Sequence, residues 1–148
     1  MTTSDPHAVT IDQVVRIMRE FGITLSVSTE PDSPAPVASA NLNGYPVIFA
    51  LLDSVLIVRA DHETTTAVSE GDPRWHLACN QVNCFNFAAK AVAMDRGEKV
   101  IVRAEKDIPV AAGLTDTQLS MALKVAIDHV LGVQKAVEEA GTQLGQGV

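Results

Sequence analysis

The chain reads as an α+β domain: an antiparallel sheet of five to six strands with three helices, in the order α-β-β-β-β-α-β-β-α. Three stretches carry apolar residues at helical spacing. Between them the period drops to two, and strand-like stretches follow one another without an intervening helix. Neighbouring strands joined by short turns pair antiparallel, because a parallel pair needs a long crossover after each strand.

Each element has a local cause. Thr10 with Gln13 three residues on is a capping box, and Gly22 is a natural stop, so the first helix lies between them. Ile11, Val14, Val15, Ile17, Met18 and Phe21 share its apolar face. Ile23, Leu25 and Val27 alternate with polar residues as a half-buried strand. The prolines at 31, 34 and 36 make Ser28 to Pro36 a loop, since proline cannot donate to a ladder. Val37 to Leu42, Asn43-Gly44 and Tyr45 to Leu52 form a hairpin, because Asn-Gly accepts the positive φ values of a type I′ turn. The near-continuous apolar run of its second strand predicts a central position with both faces covered. Asp53-Ser54 turns into a further strand, Val55 to Ala60.

Asp72-Pro73 supplies an N-cap and a first-turn proline for a second helix ending near Phe85 or Phe87. Lys90 to Met94 and Lys99 to Ala104 flank the turn Asp95-Arg96-Gly97-Glu98. Thr115 and Gln118 cap a last helix to about Ala140, whose core stripe is Leu119, Leu123, Ala126, Val130, Val133 and Val137. A single domain is expected over 8–140, with 1–7 and 141–148 as flexible termini.

Composition narrows the function. The chain has 148 residues, 47% of them apolar, and 11 basic against 18 acidic side chains give a net charge of −7. Nucleic acid and anionic membranes are disfavoured, since both draw their affinity from lysine and arginine. No apolar stretch approaches the length of a membrane span and no signal peptide is visible, so a cytoplasmic location is expected. Two cysteines do not make a disulfide scaffold.

The chemistry-bearing residues do not assemble into a catalytic motif. His76, Cys79 and Cys84 lie on the second helix with Asp72 at its start, but residues five apart on a helix point about 140° away from each other. Structural zinc wants four converging donors, and C-x4-C lacks the geometry that lowers a thiol pKa. Packing is the favoured role for these cysteines; a small-molecule or thiol-redox sensor near the second helix is the alternative. No nucleotide-binding or hydrolase motif is present, so neither catalysis nor a cofactor is expected. Asn80, Asn83 and Asn86 are poor helix formers, and a bridge from the helix to a neighbouring strand explains them better than peptide reading does. On the second helix Trp75, Ala78, Val82 and Phe85 form one apolar stripe and Leu77 and Cys84 a second. With this surplus, and with Met121 and Val125 off the main face of the last helix, Trp75, Met121 and Val125 are the candidate interaction surface.

Asn80-Gln81-Val82-Asn83 followed by Lys90-Ala91-Val92 resembles the N-x-x-N-x6-K-A-x-V stretch of the YbjN family, described as bacterial sensory transduction regulators. Val102 to Val110 and Gly113 to Leu119 continue the likeness, with Asp107, Pro109 and Gly113 at the matching motif positions. The resemblance implies a fold similar to type III secretion chaperones, small acidic proteins that dimerise and hold partner polypeptides in extended form, and it implies no enzyme activity and no catalytic residues. A regulatory or chaperone-like protein, a homodimer with a protein partner, is therefore expected.

Overall fold

A computed structural model describes residues 5–28 and 35–146. The elements are α1 (Ile11–Glu20), β1 (Ser26–Ser28), β2 (Val37–Leu42), β3 (Tyr45–Leu51), β4 (Val55–Ala67), α2 (Arg74–Phe85), β5 (Lys90–Met94), β6 (Lys99–Pro109) and α3 (Asp116–Gln146). A 3₁₀ turn at Val68–Glu70 joins β4 to α2. The six strands form one sheet in the order β1-β2-β3-β4-β6-β5, so the fold class and the element order are those the sequence predicts. Prolines 31 and 34 of the expected loop fall outside the described residues. Internal contacts divide the chain into two compact units, Met1–Val58 with Asp107–Ile127, and Arg59–Lys106 with Asp128–Val148.

In the first unit the capping box closes as expected: Gln13 N donates to Thr10 Oγ1 at 3.2 Å, and Thr10 N donates to Gln13 Oε1 at 2.9 Å. α1 packs against β2 and buries Ile11, Val14, Ile17 and Met18. β2 and β3 pair through the Asn43-Gly44 turn, both residues at positive φ. β3 is covered less completely than expected: Val47 and Phe49 are buried while Ile48 and Ala50 are half-buried, the alternation of a sheet enclosed on one face. β1 is shorter than the apolar alternation suggests, and Val27 at the sheet edge is exposed. Gly113 has φ 82°, and a Cβ there would lie 2.8 Å from the His7 carbonyl oxygen. That close approach lets His7 and Leu114 exchange backbone hydrogen bonds of 3.1 and 3.0 Å.

In the second unit two strands run past their expected ends. β4 continues beyond Ala60 because Thr64 and Thr66 take over the inward positions. Their hydroxyls are satisfied, Thr64 donating to Val100 O at 2.7 Å and Thr66 accepting from Trp75 Nε1 at 3.0 Å. β6 continues through Glu105, which is buried by ion pairing rather than by apolar character, and reaches Pro109 in the first unit. α2 begins one residue after Pro73, yet Asp72 still serves the free helix start, accepting from Arg74 N at 2.9 Å. That bond, reinforced by the Arg74 guanidinium, holds the Asp72 carboxyl below the usual carboxylate range.

α3 also outruns its expected end at Ala140, continuing to Gln146 through residues read as a tail. Packing explains it. A Cβ on Gly141 would collide with the Trp75 ring, and one on Gly145 would fall 2.8 Å from an Arg74 guanidinium nitrogen. Two glycines four apart thus give α3 a flat stripe on which the start of α2 lies. Gln134, only 1% exposed, donates from Nε2 to Ala60 O at 2.7 Å and Val102 O at 2.9 Å, tying α3 to β4 and β6.

Candidate functional site

α2 presents different chemistry on its two sides. Trp75, Ala78, Cys79 and Val82 face inward. Trp75 is 8% exposed, so it belongs to the core of the second unit and not to the interaction surface to which the sequence assigned it. The reason is the Gly141 approach: without a side chain on α3 at that point, the indole fits between the helix and Thr66. Leu77, Gln81 and Phe85, spaced i, i+4, i+8, lie outward and exposed.

The asparagines divide by position. Asn83 exchanges two hydrogen bonds with the backbone of Ala91, Nδ2 donating to its carbonyl at 2.8 Å and Oδ1 accepting its N–H at 2.9 Å. The side-chain amide stands where the next strand's backbone would stand and closes part of the outer edge of β5. Asn86 accepts from Ala88 N at 2.9 Å just past the helix, and Asn80 is exposed. Lys90, opposite Glu105 in the β5–β6 register, pairs with its carboxylate at 2.9 Å. Arg59 reaches the same carboxylate at 2.6 Å, and Arg103 pairs with Asp61 at 2.8 Å alongside. Burial pushes the Glu105 carboxyl up, but the Lys90 and Arg59 hydrogen bonds and charges outweigh it, leaving the group below the ordinary carboxylate range. Asp107 and Pro109 are exposed on β6.

Against this closed background one cleft stands out. Between the end of α2 and the second half of α3 lies a cavity of about 530 Å³, lined by Val82, Phe85, Phe87, Ala136, Ala140 and Glu139 among others. Phe85 and Phe87 are 84% and 90% exposed. Two neighbouring aromatic rings left in water at a cleft are uncommon on a monomer surface. The sequence puts Phe85 in one apolar stripe with Trp75, Ala78 and Val82; those three are buried, whereas Phe85, in the last turn of α2, is left exposed at the cleft.

The first unit holds a second, smaller cleft of about 220 Å³ between α1 and the start of α3, with Phe21 and Met121 on its walls. Met121 is 62% exposed and Val125, one turn on, is exposed beside it. The charges around this cleft are of both signs, Arg16 and Lys124 against Glu20 and Asp116. Asp116 is buried in the first turn of α3, 3.3 Å from Arg16 and 3.2 Å from His7.

The second-helix thiols do not converge. Cys79 is buried, and desolvation pushes its thiol up to about 11, whereas Cys84 and His76 are exposed. A thiol with so raised a pKa is a poor nucleophile at neutral pH. Among the described residues no group of three histidine, cysteine or acidic side chains is placed to hold a metal ion, and no helix is long and apolar enough to cross a membrane.

Comparison with known proteins gives a consistent picture. The family model YbjN, "Putative bacterial sensory transduction regulator", matches residues 10–139. A crystal structure of YbjN from E. coli, described as "a putative transcription regulator", superposes with a TM-score of 0.68 at 15% identity, over 94% of this chain and 97% of that one. At that identity the likeness concerns the fold. No curated protein matches.

Proposed function

The chain belongs to the YbjN family, and from that premise we propose that it is a non-enzymatic, cytoplasmic regulator that acts by binding another protein, in the manner of a chaperone, and that it is a homodimer. The observation that carries this reading is apolar surface kept in water at both clefts, by Phe85 and Phe87 in one unit and by Phe21, Met121 and Val125 in the other. Burying a ring or a thioether of this kind is worth about 1.5–3 kcal/mol. A chain leaves that surface exposed at a cost in solubility, which a protein contact recovers. The −7 charge supports the same reading, since it keeps such a chain soluble until a partner arrives.

The first-unit patch suits the dimer. A twofold contact brings the same surface to both sides, so a rim of mixed sign lets each copy's Arg16 and Lys124 meet the other's Glu20. Sedimentation velocity of the full chain tests this. A dimer that dissociates in Met121→Ser, with the circular dichroism spectrum unchanged, is expected. A monomer at all concentrations, or a dimer indifferent to Met121→Ser together with Val125→Ser, contradicts it.

A further inference from the structure

We propose that the cleft between α2 and α3 in the second unit seats a basic amphipathic helix of a partner protein. The proposal rests on the reading of the chain as a protein-binding regulator and adds where the partner binds and what chemistry it carries. Phe85 and Phe87 form one lip, while Val82, Ala136 and Ala140 supply an apolar floor with room above it. The stretch of α3 from Ala136 to Gln143 offers about 10 Å of length, or two helical turns. A groove of that kind is filled by apolar anchors at i, i+3 or i+4, and i+7 of an incoming helix.

Charge selects the occupant. Among the described residues Glu139 is the one charged side chain lining the cleft. α2 ends at Phe85 with no basic residue in its last turn, so the partial negative charge of its terminal carbonyls is not offset by its own side chains. Further along α3 an adjoining hollow, which shares Glu139 and Gln143, adds Glu138 and one lysine, Lys135. The site is therefore apolar with a net acidic border, complementary to leucine-type anchors flanked by lysine or arginine. A second copy of this acidic chain fits it poorly, because a twofold contact centred there sets Glu139 against Glu139.

The chain has four phenylalanines, Phe21, Phe49, Phe85 and Phe87, which makes fluorine NMR of the full-length protein labelled with fluorophenylalanine a direct test. Each resonance is assigned through a single Phe→Leu variant. The probes are two synthetic helical peptides with the same leucine stripe, one flanked by lysines and the other by glutamates. The lysine peptide is expected to shift the Phe85 and Phe87 signals and leave buried Phe49 and first-unit Phe21 unmoved. Glu139→Lys should weaken it about fivefold and strengthen the glutamate peptide. Equal binding of the two peptides, or shifts confined to Phe21, overturns the proposal. So do concentration-dependent Phe85 and Phe87 shifts without peptide, which place a second copy in the cleft. If neither peptide binds a chain that sediments as a dimer, this inference falls and the regulator reading stands; if neither binds a chain that sediments as a monomer, both fall.

Discussion

Asn83 and Glu105 show how polar residues hold the second unit together, and how unequally they announce it. Asparagines at 80, 83 and 86, in and just past one helix, run against propensity, so a bridging role is legible in the sequence alone, and Asn83 fills it on the backbone of Ala91. Asn83→Ala should cost about 1–2 kcal/mol in urea unfolding and speed hydrogen exchange at the Ala91 amide. Asn80→Ala, at an exposed position, should stay within about 0.5 kcal/mol. Glu105 was not legible as a buried group, because nothing local distinguishes it from solvated Asp107. Only pairing with β5 and β4 brings Lys90 and Arg59 to it. Its folded carboxyl lies below the ordinary range, so the stabilisation it gives is complete above the unfolded value of about 4.3 and is lost as pH falls through the lower folded value. Wild type is expected to exceed Glu105→Gln by about 1–2 kcal/mol at pH 7, with the gap narrowing below about pH 4. A gap that widens on acidification would contradict the assignment.

At the level of elements, chain ends were where reading by hydrophobic pattern stopped short. α1, the β2–β3 hairpin and the start of α3 were all readable from caps and turn residues, since those signals are local. β4 was cut at Ala60 because Thr64 and Thr66 do not look like core, though their hydroxyls find partners only once Val100 and Trp75 are in place. The end of α3 was hidden for a related reason. Glycine near a terminus ordinarily marks fraying, and its use as a contact surface appears only when Trp75 lies against it. The prediction is a contrast between two glycines of the same helix. Gly132→Ala, with nothing within 4 Å of the new carbon, should stabilise by up to about 1 kcal/mol. Gly141→Ala gains the same propensity but forces the indole aside, and thermal melts should show a net loss of about 1–2 kcal/mol with an altered Trp75 emission. Equal effects at the two positions would mean that Trp75 does not depend on Gly141.

For the molecule as a whole, the family was legible in the sequence: the resemblance read from the Asn80 to Leu119 segments proved correct. The exposed apolar surface was only partly legible. Met121 and Val125 are where the sequence put them, on the outside of α3, while Trp75 is core and the exposed rings are Phe85 and Phe87. Helical spacing groups Phe85 with Trp75, Ala78 and Val82 but does not say how far along α2 the packing reaches, and the last turn is left open at the cleft. The two clefts differ in the sign pattern of their borders, which is why we propose a second copy for the first and a basic partner for the second.

The most direct test of a regulator that pairs with itself at one cleft and with another protein at the other is site-specific photo-cross-linking in intact cells. A photoreactive amino acid is placed at position 121, 85 or 96. Expected are an adduct at twice the 15.7 kDa chain mass from position 121, a different-protein adduct from position 85, and neither from exposed Arg96. Positions 121 and 85 giving no more product than position 96 would contradict that assignment.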